Sequence, residues 1–199
     1  MARRFLTTLT LIGIVLAGSA SLGWPAGARS GADTPTPTPT PSAYAGLQAR
    51  PIKALAPDRV AGLLAGRGLS YALAAELNHY PGPAHVLELA DALDLTPEQA
   101  EATRALAAEV AAAAPPLGRR LVEIETELDR AFAEVRMTEA ELNRLTAESA
   151  EVEGRLRAVH LRAHVAQRAL LTSDQIARYD HLRGYTAPGG HQPHQHHGR

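Results

Sequence analysis

The sequence predicts an all-α fold: a long antiparallel helical hairpin with short flanking helices and disordered termini. Three observations carry that prediction. Apolar residues recur every three or four positions along two long stretches, and helix-capping residues stand at the start of each. The composition agrees, because a chain that is 45% hydrophobic but only 4% aromatic, with many alanines, suits thin helices with small seams.

The first residues read as an export signal rather than as fold. Arg3 and Arg4 precede an apolar run over residues 5–17, and small residues follow at Gly18, Ser19 and Ala20 and again at Ala26, Gly27 and Ala28. This pattern predicts a signal peptide over residues 1–28, cleaved after Ala20 or Ala28. The run is too short for a comfortable transmembrane helix. Cysteine is absent, which excludes disulfides, thiolate metal sites and a lipidated cysteine. The expectation is a soluble periplasmic protein, with no membrane insertion after cleavage. A net charge of −1 argues against nucleic acid as a partner. Residues 29–56 read as a Thr/Pro-rich linker, because the Thr-Pro alternation in "DTPTPTPTPS" (33–42) blocks helix and favours extended polyproline II.

Residues 57–82 read as short N-terminal helices, at 57–66 and 69–78, punctuated by Gly66, Arg67 and Gly68 and closed by "NHYPGP". Another short helix fits 84–94, with Val86, Leu89, Ala90 and Leu93 on one face. "LTPEQ" (95–99) then starts the first arm. Thr96 serves as N-cap, Pro97 at the first helical position loses nothing by lacking an N–H, and Gln99 completes a capping box. "LTSDQ" (171–175) repeats the device with Thr172 and Gln175, and "MTEAEL" (137–142) does so with Thr138 and Glu141.

Leu106, Val110, Ala113, Leu117, Leu121, Ile124, Leu128, Phe132 and Val135 mark the first arm. Pro115 and Pro116 interrupt it, and prolines inside a helix predict a kink or break, hence a bent arm. In the second arm Leu142, Leu145, Ser149, Val152, Leu156, Val159, Ala163, Ala166 and Leu170 form a heptad seam. Two such arms joined near Arg136 and Met137 predict the hairpin, over residues 83–185. Residues 186–199 read as a disordered, histidine-rich tail.

An export signal, a helical hairpin, two LTxxQ motifs and a polar tail together resemble the LTxxQ-motif periplasmic superfamily of Spy-, CpxP-, ZraP- and CnrX-like proteins. The resemblance spans residues 83–185 and includes Tyr179 in "LTSDQIARYDHL". It implies a Spy/CnrX-like hooked hairpin, usually a homodimer. It also implies one of two activities, holding unfolded clients without ATP or sensing and buffering metals. The chain departs from the family in its Pro-Pro pair and its long Thr-Pro spacer.

Nine histidines supply the candidate metal chemistry. His160 and His164 are four apart on one helix, so their rings share a face and could grip one ion. Two solvated or interface histidines are the alternative. Refolding at Met137 brings Glu109 near His164 as a possible third ligand, or leaves it as an exposed helix carboxylate. His85 and Glu88, three apart, form a second candidate face or a salt-linked surface pair. The tail adds His191, His194, His196 and His197, neutral imidazoles suited to a divalent cofactor such as Zn, Ni, Co or Cu(II). Between residues 154 and 173 stand Arg155, Arg157, Arg162 and Arg168 with no acid. They form either an electropositive client-binding patch or a solvated face answered by Glu123, Glu125 and Glu127 on the other arm.

No enzyme signature is present, so catalysis is not expected. The residues favour a periplasmic metal-binding stress protein that senses or buffers divalent ions. An ATP-independent chaperone for unfolded periplasmic proteins is the alternative, and an inner-membrane signalling protein is a further candidate partner.

Overall fold

A computed structural model describes residues 40–186. The expected signal peptide, most of the Thr-Pro run and the tail histidines His191, His194, His196 and His197 lie outside the described residues. The fold is all-α, with no strand among the described residues. Among the described residues six helices follow a 3₁₀ turn at Leu47–Ala49: α1 Pro57–Leu64, α2 Leu73–Glu76, α3 Pro83–Glu88, α4 Pro97–Ala133, α5 Glu139–Leu170 and α6 Ser173–Leu182.

The long helices α4 and α5 lie side by side and run in opposite directions. Arg120 Nε meets Glu148 at 2.8 Å, Arg144 meets Glu127 at 2.6 Å, and Gln167 meets Thr103 at 3.1 Å, so residue numbers rise on one helix as they fall on the other. These bonds also settle the arginine-rich stretch. Glu123, Glu125 and Glu127 answer Arg120, Ser149 and Arg144, not the arginines at 155–168, which lie farther along α5.

α4 continues as one helix through Pro115 and Pro116, so the prolines do not break the arm. Each proline removes one N–H, and its ring crowds the carbonyl four residues back. Those carbonyls belong to the exposed residues Ala111 and Ala112, where water can hydrogen-bond them and small side chains leave room. The Pro115 ring instead becomes packing surface: a Cβ on Gly66 would lie 2.8 Å from its Cδ. Next to it, Gly118 lets the C-terminal end of α1 touch the backbone of α4. A Cβ there would sit 2.0 Å from the Leu63 carbonyl oxygen.

The short helices are shorter than their sequence pattern. Leu69 and Ser70 adopt φ of 42° and 65°, so no helix starts at residue 69, and α3 gives way to turns before Asp94 at φ 49°. At Thr138 only half of a capping box forms. Its hydroxyl accepts from the Glu141 N–H at 3.2 Å, but the Glu141 carboxylate turns to Arg136 at 3.1 Å.

The segment expected to be linker up to residue 56 joins the core. Ile52 and Leu55 are buried with Leu63, Tyr71, Ala114, Leu121, Ile124, Leu145, Val152 and Leu156. Lys53 clips them to α4, with its backbone N–H 3.1 Å and its ammonium 2.9 Å from Asp129. Residues 42–186 accordingly belong to one compact unit, with no break at residue 82. A second, smaller cluster gathers Val86, Leu93, Leu171, Ile176 and Tyr179 from α3, α6 and the turns ahead of α4 and α6.

The α5 seam shifts near its end. Leu145, Val152, Leu156 and Ala163 are buried as expected, but His160 and Gln167 are buried beside the line, while Val159 and Ala166 are only partly covered. The reason is tertiary. The α1–α3 segment lies along one side of the helix pair and covers the stripe one residue away from the heptad line.

Candidate functional site

The two LTxxQ motifs meet. Gln99 Nε2 donates to Gln175 Oε1 and Gln175 Nε2 donates to Gln99 Oε1, both at 2.9 Å. Each amide also donates to a backbone carbonyl, Leu170 at 2.8 Å and Leu93 at 3.2 Å. Each glutamine carbonyl still receives the N–H of its own N-cap, Thr96 or Thr172, at 3.0 Å, and both capping boxes are complete. The side chains that cap α4 and α6 therefore also clamp the two helix starts together. Local spacing revealed only the caps.

Beside this clamp stands a buried polar hub on Glu76. The Tyr179 hydroxyl donates to its Oε1, which also lies 3.1 Å from the Tyr185 hydroxyl and 3.2 Å from His85 Nδ1. Its Oε2 accepts from the Gly82 N–H at 3.1 Å and lies 3.5 Å from His164 Nδ1. Burial by itself would raise the Glu76 carboxyl. The hydrogen bonds from Tyr179 and Tyr185 and the adjacent His85 and His164 outweigh it, so the net shift is downward. Tyr179, fully buried, is pushed upward by that burial and then by the carboxylate it serves. One turn of chain away, His79 Nδ1 meets the buried Asp180 at 2.6 Å.

This geometry rearranges the expected metal ligands. His160 and His164 share a face but not a partner. His164 Nδ1 lies 2.8 Å from the Tyr80 carbonyl, which it supplies as donor, while the His160 ring stacks on Tyr71 with its Nε2 buried and unpaired. Burial, then His164, lowers His160, keeping it neutral. Glu109 is not near His164; it lines the other side of the helix pair. His85 turns to Glu76 rather than to Glu88, whose neighbour is Arg183 at 3.9 Å. Among the described residues no three His, Asp or Glu side chains converge on a point where an ion could sit. The Glu76 hub is a closed hydrogen-bond network that ties α2, α3, α5 and α6 together.

The side of α4 and α5 turned away from α1–α3 is open. A shallow groove runs along it, floored by Leu106, Val110, Ala113, Val159 and Ala166 with Glu109 and Arg162 among its walls. It continues past Pro116, Leu117 and Ala158 to Glu151 and Arg155. Arg162 makes no ion pair and Arg155 only a 3.9 Å approach to Glu151 among the described residues. Arg168 belongs elsewhere: it stacks 4.8 Å over the Tyr80 ring and donates to the His79 carbonyl. Arg157 is exposed and lines neither stretch of the groove.

No protein-family model, curated protein or solved structure matches the chain.

The hub was missed in the sequence because Glu76, His79, Tyr80 and Asp180 carry no spacing signal. Glu76 lies about a hundred positions from its tyrosine partners. The one available hint was Tyr179, four residues beyond Gln175 and hence on the same face of α6.

Proposed function

We propose that this is an exported helical stress protein of the LTxxQ type, a Spy/CnrX-like hooked hairpin that holds unfolded polypeptide without ATP. The observation that carries this reading is the open groove along α4 and α5. Its floor is weakly apolar, it has no enclosed volume for a small substrate, and on its α5 side Arg162, unpaired among the described residues, and Arg155, only 3.9 Å from Glu151, can meet acidic residues of a client. The interlocked Gln99 and Gln175 support the LTxxQ resemblance, because the two motifs then act as one device. Continuity of α4 through Pro115 and Pro116 supports the reading too, since the groove floor is not interrupted there.

The test is dilution of a urea-unfolded, aggregation-prone enzyme into buffer containing the protein, chelator and no nucleotide. Light scattering should fall in proportion to added protein, and Leu106→Asp with Arg155→Glu/Arg162→Glu should abolish the effect while helicity is retained. Equal protection by the variant would remove the groove from the function.

A second reading, uptake of divalent Zn, Ni, Co or Cu(II), draws on the four histidines within residues 191–197. Calorimetric titration of the protein ending at Tyr185, beside the full chain, separates it from a helical site. Binding that survives the truncation and disappears in His160→Ala/His164→Ala would place the ion on α5.

A further inference from the structure

Residues 68–80, which include α2, lie against α5 and α6 between two anchored ends. Ahead of them Gly66 packs against the Pro115 ring, and after them Pro81, Gly82 and Pro83 are buried. The hydrogen bonds between backbone groups in this stretch close within it, so every contact that holds it to α5 or α6 involves a side chain. Tyr71 stacks on His160 at 6.0 Å, and the carbonyls of Tyr80 and His79 accept from His164 and Arg168.

The closed position of this stretch is costly. Five non-glycine residues have positive φ among the described residues, and three of them are here: Leu69 at 42°, Ser70 at 65° and His79 at 65°. The left-handed region is unfavourable for L-residues, and Leu69 and Ser70 occupy it in succession. Two residues that the stretch packs on also carry a buried side-chain atom with no hydrogen-bond partner in the chain, His160 Nε2 and Asp180 Oδ1. Closure leaves the desolvation of both atoms uncompensated. Little apolar burial opposes these costs. Tyr71 and Ala72 are buried, whereas Leu73 and Leu77 stand half exposed at 50% and 51%. The hold comes from Glu76, whose carboxylate accepts from Tyr179, Tyr185 and the Gly82 N–H.

We propose that residues 68–80 form a strap, strained at Leu69, Ser70 and His79 and latched by Glu76, that lifts from α5 and α6 while α4 and α5 stay packed together. Lifting relaxes the left-handed residues and hydrates His160 and Asp180. It also turns Tyr71 and Ala72 outward beside Leu73 and Leu77. The open form then presents a continuous apolar segment that the closed form divides between inside and outside. The helix pair survives this, because Leu121, Ile124, Leu145, Val152 and Leu156 cluster across α4 and α5.

The test uses the absence of native cysteine to place one thiol at a time in the full chain. Ala72→Cys reports the strap, and Ala131→Cys, fully buried in α4, reports the helix pair. With a thiol reagent under native conditions, labelling of Ala72→Cys should be at least about tenfold faster than that of Ala131→Cys, with a shallower dependence on urea. Adding Ser70→Gly, which relieves a left-handed residue at an exposed position, should slow labelling at position 72 several-fold. Adding Glu76→Gln should speed it several-fold while helicity by circular dichroism is retained. Equal rates and urea slopes at positions 72 and 131 overturn the proposal, as does a rate at 72 that ignores Ser70→Gly or Glu76→Gln. Loss of helicity in Glu76→Gln overturns it too, because Glu76 would then support the whole fold rather than latch one strap.

Discussion

Gln99 and Gln175, 76 positions apart, hold each other through two amide hydrogen bonds of 2.9 Å while each caps its own helix. The clamp fixes where α4 starts relative to α6. α6 in turn delivers Tyr179 to Glu76, so the hub depends on the clamp.

Removing either glutamine leaves the other amide without its partner inside a half-buried site. Gln99→Ala and Gln175→Ala should each cost about 1–3 kcal/mol. Because the two share one interaction, the double variant should lose less than the separate losses added, by about 1 kcal/mol. Urea denaturation of the four proteins measures this, and strict additivity would mean the amides do not act as a pair.

Gly118→Ala tests the contact of α1 with α4. The new methyl would meet the Leu63 backbone rather than a side chain that can swing away. A loss of about 3 kcal/mol is expected, read as a lowered urea midpoint, with α1 less protected in hydrogen exchange.

Glu76 gives the fold an acid limit. Its folded carboxyl lies below its ordinary value of 4.5, so its contribution is complete above that value. It is lost as the pH falls through the lowered folded value. Thermal melts from pH 7 down to 3 should show this loss, and Glu76→Gln should be less stable at neutral pH and flatter with acid. Parallel pH profiles would show that Glu76 is not the titrating strut.

His160 behaves oppositely to a ligand. It is held neutral and carries an unpaired buried Nε2 while its ring stacks at 6.0 Å on Tyr71. Its folded value is lowered, so the unfolded chain takes up the proton first and stability declines as the pH falls below the ordinary 6.5. His160→Phe keeps a ring for the stack and removes both penalties. It should melt no lower than the parent at pH 7 and higher at pH 5.5, whereas a clear loss at both would show that Nε2 has an essential partner.

Arg168 and Arg162 separate folding from binding. Arg168→Ala should lower stability by about 1 kcal/mol, because a cation–π stack and a carbonyl bond are lost. Client protection per folded molecule should stay unchanged. Arg162→Glu should do the reverse. The comparison combines denaturation curves with light scattering.

Helix content was written locally. Thr96 and Thr172 cap the helices that their spacing marks, and Leu145, Val152 and Leu156 face inward as the heptad requires. Those effects act within a turn or two, so the sequence exposes them. Whether Pro115 and Pro116 would end the helix was not legible locally, because a proline's cost depends on what surrounds the carbonyls it leaves free, which spacing does not report.

By itself the sequence determined an all-α chain, its two long helices and the caps that start them. Tertiary structure decided which side of α5 was buried, drawing His160 and Gln167 inward and leaving Arg162 on the open groove. It brought His164 and His85 to Glu76 instead of Glu109 and Glu88, and turned two caps into one clamp. The physical reason is the same in each case. Hydrogen bonds and helix periodicity act over three or four residues, whereas the partner of a buried polar group is chosen by whichever distant segment covers it.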